Sequence, residues 1–280
     1  MRQRDFYVFI HIPKCGGSTF NTILRNLFGV AYAAEYGILN NYQYNASQVK
    51  QIIDWYPDLK CLASHRLSID LPFDHQDTSV TAITFVRNPI ERFVSHYFYH
   101  RQNTEMFPET KTLDIDAYTE YLLGSPQKEM HIRSQTGFLT GSADERGIDL
   151  IREHAHNKEV LCFPLSRFDE ACVTLEHMFP GDFSNCAYAR RENVSTKDQE
   201  LADGTFIKIR KLDFVNVDLQ LFDFATEQLD RLIEEYFENN RALGEDLRDF
   251  RRRCSSLSVL VSARTRNLLR RVAAGIYRRL

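Results

Sequence analysis

The 280-residue chain is 43% hydrophobic and 26% charged, enough apolar material for one large globular domain with appendages, and no window holds the roughly 18 uninterrupted apolar residues of a membrane span. Its net charge of −3 conceals a division: residues 251–280 hold nine arginines and no acidic residue, so the first 250 carry 26 of the 35 basic residues against all 38 acidic ones, a balance of −12. An acidic body argues against nucleic acid as a partner and makes any anion site local.

The six cysteines, Cys15, Cys61, Cys162, Cys172, Cys186 and Cys254, show neither a C-x-x-C pair nor metal-ligand spacing, so reduced thiols are expected, without a zinc site or a disulfide framework. The first strand is reached by Phe6, which leaves no room for a signal peptide, and a cytoplasmic location is the expectation.

In chain order, FYVFIHI from Phe6 is a continuous apolar run that reads as a buried β-strand. It stops at Pro13 and turns through Lys14, Cys15, Gly16 and Gly17. Ser18 and Thr19 then open a helix whose Phe20, Ile23, Leu24, Leu27 and Phe28 recur at helical spacing. A strand that turns through two glycines into a helix aims several backbone N–H groups at one point, and the helix dipole adds partial positive charge there. The result is an anion cradle with Lys14 beside it.

A Tyr- and Asn-rich loop, Ala31 to Asn45, leads to Ser47, the expected N-cap of a helix carrying Val49, Ile52, Ile53 and Tyr56 on one face and ended by Pro57. Leu59 to Ser64 reads as a short strand that delivers His65 and Arg66 to its C-terminal end. Val80 to Val86 is a second clear strand, running through Arg87, Asn88 and Pro89 into a helix with Ile90, Phe93, Val94, Tyr97 and Phe98 as its stripe. Asn88 and Pro89 suit the cap and first turn.

Between Asn103 and Gly147 the pattern weakens. Leu113 to Leu123 reads as helical and HIRSQTGFLTG has no strong periodicity, so a helical insertion of about 103–147 is expected, either facing a substrate or packing as ordinary helix. Ile148 to His156 reads as a helix, VLCFP as a strand, and FDEACVTLEHMF as a helix with Phe168, Cys172, Leu175 and Phe179 aligned. This third strand-then-helix unit makes the fold class α/β, with a central, mostly parallel sheet flanked by helices. Glu227 to Asn240 is expected as a further helix on the outside. The expected division is a domain over 1–250 and a basic helical tail over 251–280. In the tail, Leu257, Val261, Leu268, Val272 and Ile276 lie on one side with arginines largely elsewhere. That pattern suits packing on the chain's own acidic domain, contact with a second subunit, an anionic membrane surface, or contact with nucleic acid.

Ligands of open α/β sheets sit beyond the carboxyl ends of the strands. Lys14 to Thr19, His65 with Arg66, and Arg87 all fall at such ends and should converge on one crevice. The first turn is not a Walker A sequence, because its lysine precedes the glycine pair, which disfavours an ATPase or kinase.

HIPKCGGST, read together with FVRNPIERFVSHYF, which supplies Arg87 and, eight residues on, Ser95, resembles the sulfotransferases that use 3′-phosphoadenosine 5′-phosphosulfate (PAPS). The branch it resembles most contains the heparan sulfate 2-O-sulfotransferases and their bacterial relatives. The resemblance is strongest over Phe6–Phe28 and Thr84–Tyr99 and traceable to about Lys197. It implies a P-loop-like sulfotransferase fold and transfer of a sulfuryl group to an acceptor hydroxyl, on a carbohydrate first, with a Tyr-containing protein, a lipid or a small metabolite open as alternatives, with release of 3′-phosphoadenosine 5′-phosphate (PAP) and no metal. It also implies that Lys14, Cys15, Gly16, Gly17, Ser18 and Thr19 hold the 5′-phosphosulfate, with Lys14 neutralising charge on the bridging oxygen. Arg87 and Ser95 would hold the 3′-phosphate, and Arg191, Ser195 and Lys197 resemble a later loop that closes over the nucleotide. Those relatives take their base from a histidine in H-x-x-x-x-D, which places His65, in SHRLSID, as the catalytic base. They often carry a second histidine two residues earlier, where this chain has Ala63, so His11 or a carboxylate of the insertion remains open as an alternative base.

Each residue also has a bland reading: Arg87 as an ion pair with Glu91, Ser95 as a solvated helix residue, His65 as a hydrogen-bonded structural histidine. Two other classes stay open at this point, a non-catalytic PAP-binding or anchoring protein that dispenses with His65, and a P-loop-type nucleotide kinase.

Overall fold

The computed structural model describes residues 4–34, 43–103, 108–123, 134–189, 207–210, 212 and 214–256. Among them, strands β1 (Arg4–Ile10), β2 (Tyr32–Ala34), β3 (Cys61–Ser64), β4 (Thr78–Val86) and β5 (Val160–Pro164) form one sheet in the order β2-β3-β1-β4-β5. Every pairing is parallel. The α/β expectation therefore holds. The helices are α1 (Gly17–Phe28), α2 (Ala46–Trp55), α3 (Pro89–Gln102), α4 (Ile115–Leu123), α5 (Gln135–Thr140), α6 (Glu145–His156), α7 (Phe168–Met178), α8 (Phe214–Tyr236) and α9 (Asn240–Cys254).

Parallel strands covered on both faces need apolar residues at successive positions, and Phe6 to Ile10 of β1 are all buried. Their alternation decides what each meets. Tyr7 packs against Phe28, Phe179 and Phe183, and Phe9 against Phe20 of α1, whose ring also meets Phe85 of β4. The register pairs Ile10 with Ser64, so β3 and β1 end level, and Phe9 with Ile83, so β4, ending at Val86, runs on past them at the same end of the sheet. After β1 the chain turns toward β2 and β3, and after β4 toward β5. The point where those directions diverge lies between β1 and β4, where open α/β sheets bind ligands.

Three sequence expectations change. The loop from Ala31 contains β2, a three-residue strand that is only half-buried, too short for an alternating pattern to register. Helix α2 is capped by Asn45, not Ser47: Asn45 accepts from the Gln48 N–H while the Gln48 side chain accepts from the Asn45 N–H, and this reciprocal box outcompetes a lone serine. The helix placed outside at Glu227 starts at Phe214 and is a core element, burying Phe214, Val215, Asp218, Leu221, Phe224, Ala225, Gln228, Leu229, Leu232 and Ile233. Its charged far face disguised that stripe. No helix among the described residues is long and apolar enough to cross a membrane. Arg251 to Ser256 complete and follow α9, and the rest of the basic tail lies outside the described residues.

Helix α8 also seals the sheet margin. Among the described strands β5 pairs only with β4, and a bare strand edge inside a protein leaves backbone groups unpaired. Gln228 supplies the missing partners: its Oε1 accepts from Cys162 N at 2.7 Å and its Nε2 donates to Val160 O at 2.9 Å. Replacing Gln228 with Leu strands two buried backbone groups, at about 1–3 kcal/mol each. At ~2–4 °C per kcal/mol in a domain of this size, calorimetry should show a melting temperature lowered by roughly 4–24 °C. Gln220→Leu on the exposed side of the same helix should change it by no more than about 2 °C.

Candidate functional site

Beyond Ile10 the backbone cannot continue as strand, since Pro13 and two left-handed residues follow. Lys14 has φ 66° and Gly16 φ 77°. Gly16 is the N-cap of α1, which has no side-chain cap and no acidic residue in its first turn. A helix start of this kind leaves its first N–H groups to an outside acceptor and presents the positive end of the dipole. Gly16 is called for by its positive φ, and Gly17 by close approach. A Cβ at Gly16 would lie 2.4 Å from Leu165 Cδ1, and one at Gly17 would lie 1.9 Å from His11 Cδ2 and 2.0 Å from its Nε2.

The turn is held from outside by α3 and α5. Arg92, almost wholly buried, donates from Nε to Pro13 O at 3.1 Å. Lys14 Nζ stands 4.5 Å from the centre of the Tyr99 ring, a cation–π contact. Cys15 faces inward, its thiol donating to Gln135 Oε1 at 3.1 Å, and burial pushes that thiol up to about 11. Thr19 is on the buried face of α1, while Ser18 is half-exposed at the cradle.

Arg87 follows β4 directly. Its backbone is clamped at both ends by one amide, Arg87 N donating to Gln135 Oε1 at 2.8 Å and Gln135 Nε2 donating to Arg87 O at 2.7 Å. Gln135 is itself set by the buried Asp218 of α8, which accepts from Ser134 Oγ, Gln135 N, Thr136 N and Thr136 Oγ1 at 2.7–3.1 Å. The Arg87 guanidinium meets Glu91 through Nε at 3.3 Å, so the ion pair is present, but it is long and half in solvent. Arg87 also stands close enough to Lys14 that its positive charge, after burial, lowers the lysine's pKa. Ser95, one helical repeat beyond Glu91, is buried and not a solvated residue.

On the other side of β1, His65 begins the turn after β3. Its Nδ1 lies 2.5 Å from His11 O. Its ring stacks on that of His11, with centroids 3.8 Å apart and planes 29° apart. His11 is pushed down to about 3, by burial first and then by His65.

The structure thus gathers Lys14, Gly16, Gly17, Ser18 and Arg87 at the switch point, with His65 reaching the same place through His11. Arg191, Ser195 and Lys197 lie outside the described residues. Several contributors escaped the sequence reading. Gln135 sits in a stretch without periodicity. Arg92, His96 and Tyr99 share one face of α3, and their i, i+4, i+7 spacing was the available signal. His96 lies between two residues that touch Pro13 and Lys14. It is buried, both ring nitrogens lack a hydrogen-bond partner among the described residues, and burial, then the charges of Arg92, His100, Lys14 and Arg87, holds it well below the usual imidazole range.

A parallel β2-β3-β1-β4-β5 sheet with an uncapped helix start and two cations at its switch point defines an α/β protein with a P-loop-like anion site. Residues 1–142, half of the chain, match the sulfotransferase family, and the chain belongs to that family. An uncharacterised protein of Archaeoglobus fulgidus is 28% identical over 136 residues, 46% of this chain and 54% of that protein. The chain therefore spans about half the length of this curated relative. Among solved structures, a sulfotransferase from Alicyclobacillus acidocaldarius aligns with a TM-score of 0.40 at 12% identity, over 86% of this chain and 99% of that one. Mouse sulfotransferase SULT7A1 complexed with PAP aligns with a TM-score of 0.41 at 16% identity, over 89% of each.

Gly17→Ala tests the packing of the cradle. Its methyl has no room beside the His11 ring, so the variant should lose about 1–3 kcal/mol in urea unfolding and move the His11 ring signals in NMR spectra. Wild-type stability and an unmoved His11 would contradict the contact.

Proposed function

We propose that the chain is a PAPS-dependent sulfotransferase that transfers a sulfuryl group to a hydroxyl of a carbohydrate acceptor and releases PAP. One observation carries the reading: Lys14 and Arg87 are held at adjacent strand ends, beside an uncapped helix start, close enough that the Arg87 charge, after burial, lowers the lysine's pKa. An anion between them relieves that repulsion and accepts the N–H groups of α1. The residues fit an anionic nucleotide on this ground.

PAPS supplies the sulfuryl group, whose sulfur is attacked in line by the acceptor oxygen as its bond to the bridging oxygen breaks. The N–H groups of Gly17 and Ser18 and the Lys14 ammonium hold the 5′ end, and Lys14 neutralises the charge that grows on the bridging oxygen. Lys14 leaves the Tyr99 ring to do so. Arg87, its backbone fixed by Gln135, offers its Nη groups to the 3′-phosphate, with Ser95 beneath it. His65 holds the base position. A carbonyl only accepts, so His65 Nδ1 donates to His11 O, and the lone pair lies on Nε2, where it takes the acceptor's proton. Base and 3′-phosphate site stand on opposite sides of β1, about two strand spacings or ~10 Å apart, as a nucleotide with phosphates at both ends requires.

Thermal shift separates this from a nucleotide kinase. PAP at about 100 times its dissociation constant stabilises by ~2.7 kcal/mol, and ADP or ATP with Mg²⁺ should give less. A shift with ATP and none with PAP would sink the proposal. With radiolabelled PAPS and a panel of desulfated glycosaminoglycans as acceptor probes, His65→Ala should lower turnover ~10²- to 10⁴-fold while PAP affinity stays nearly unchanged. An active His65→Ala protein would move the base elsewhere, and a wild type that sulfates none of the panel would remove the carbohydrate acceptor.

A further inference from the structure

The two stacked histidines carry their protons on opposite nitrogens, and the neighbours of each decide which. Asn21 Nδ2 lies 3.1 Å from His11 Nδ1. An amide nitrogen can only donate, so His11 Nδ1 accepts and its proton sits on Nε2. The same amide's Oδ1 accepts from the Tyr32 hydroxyl at 3.1 Å. His65 is the reverse, with its proton on Nδ1 and its lone pair on Nε2, because its partner is a carbonyl.

Where His11 Nε2 points follows from β1. Tyr7, Phe9 and His11 alternate onto the face that α1 covers, and the His11 ring lies against Phe9 as well as His65. Its Cδ2–Nε2 edge occupies the space that a side chain at Gly17 would need. Cα–Cβ bonds in a helix tilt toward its N-terminus, so that edge lies on the N-terminal side of Gly17, at the start of α1. Gly17 is what admits it.

We propose that His11 is a neutral hydrogen-bond donor of the cradle, its Nε2–H binding a terminal oxygen of the sulfuryl or phosphoryl group held at the start of α1, with Asn21 as the positioning residue that fixes its tautomer. The inference rests on reading the cradle as the 5′ phosphosulfate site. It removes His11 from candidacy as a base, since the nitrogen that faces the anion already bears the proton. Burial, and then His65, holds His11 down to about 3, which keeps the ring uncharged at neutral pH. Lys14 and Arg87 already supply positive charge, and a third cation would add repulsion in the empty site. A neutral N–H adds direction without that repulsion.

Long-range ¹H–¹⁵N spectra of the full chain with labelled histidine, at neutral pH, read the tautomers directly. The wild type should show a protonated Nε2 and a bare Nδ1 for His11, and the opposite for His65. Asn21→Asp, whose carboxylate only accepts, should reverse His11 and weaken PAP about 10- to 100-fold, the worth of one hydrogen bond to a charged group. His11→Phe keeps a ring on Phe9 and His65 but has no donor, and should weaken PAP by a similar factor while leaving the His65 tautomer in place. PAP and inorganic sulfate should each shift the His11 Nε2–H signal. An Nδ1–H tautomer in the wild type overturns the proposal, as does PAP binding that leaves His11 unmoved, or no shift with either ligand. A shift with sulfate from a protein that does not bind PAP at all supports the donor and sinks the PAPS reading instead. Should His11→Phe fail to fold, the wild-type tautomer and Asn21→Asp decide.

Discussion

Everything at the site depends on one short turn that the chain would not adopt unaided. Between β1 and α1, Lys14 takes a left-handed conformation that costs a residue with a side chain roughly 1–2 kcal/mol. The surrounding elements hold it there: Arg92 of α3 on Pro13, Gln135 of α5 on Cys15, and the His11 ring on Gly17. The turn in exchange leaves α1 uncapped and aims its N–H groups outward. A conventional serine or aspartate cap would stabilise the helix by about 1 kcal/mol and would fill the place an anion needs.

The same supports link the two halves of the crevice. Gln135 touches both the cradle, through the Cys15 thiol, and the Arg87 backbone, so the spacing between Lys14 and Arg87 is set by one buried amide. Asp218 of α8 fixes that amide in turn. Part of the weakly patterned stretch after Asn103 is therefore the frame of the site. On the other flank, β1 lends its own end: the carbonyl and the ring of His11 orient His65.

What the sequence disclosed follows from how local each signal is. The strand, turn and helix around Lys14 were legible because apolar runs, glycines and helical spacing are short-range features, and β4 into α3 was legible through Asn88 and Pro89. The convergence of Lys14, His65 and Arg87 followed from topology, since three parallel strands share one carboxyl end. Gln135, Asp218 and Gln228 were illegible because each acts across 48 residues or more on a backbone group, and no periodicity marks such a partner. Asn21 and Tyr32 read as an ordinary helix residue and a loop tyrosine. Their role appears only when β1 alternation puts His11 over α1. The core position of α8 was hidden by the acidic residues on its outer face.

The central claim is that Arg87 reads the 3′-phosphate while the Lys14 cradle holds the other end of the nucleotide. Isothermal titration of wild type and Arg87→Ala with PAP and with adenosine 5′-phosphosulfate, which lacks the 3′-phosphate, tests it most directly. Losing a guanidinium–phosphate contact costs about 1.5–3 kcal/mol, so PAP affinity should fall roughly 10- to 100-fold while adenosine 5′-phosphosulfate changes less than about threefold. Equal losses for the two ligands would contradict the account.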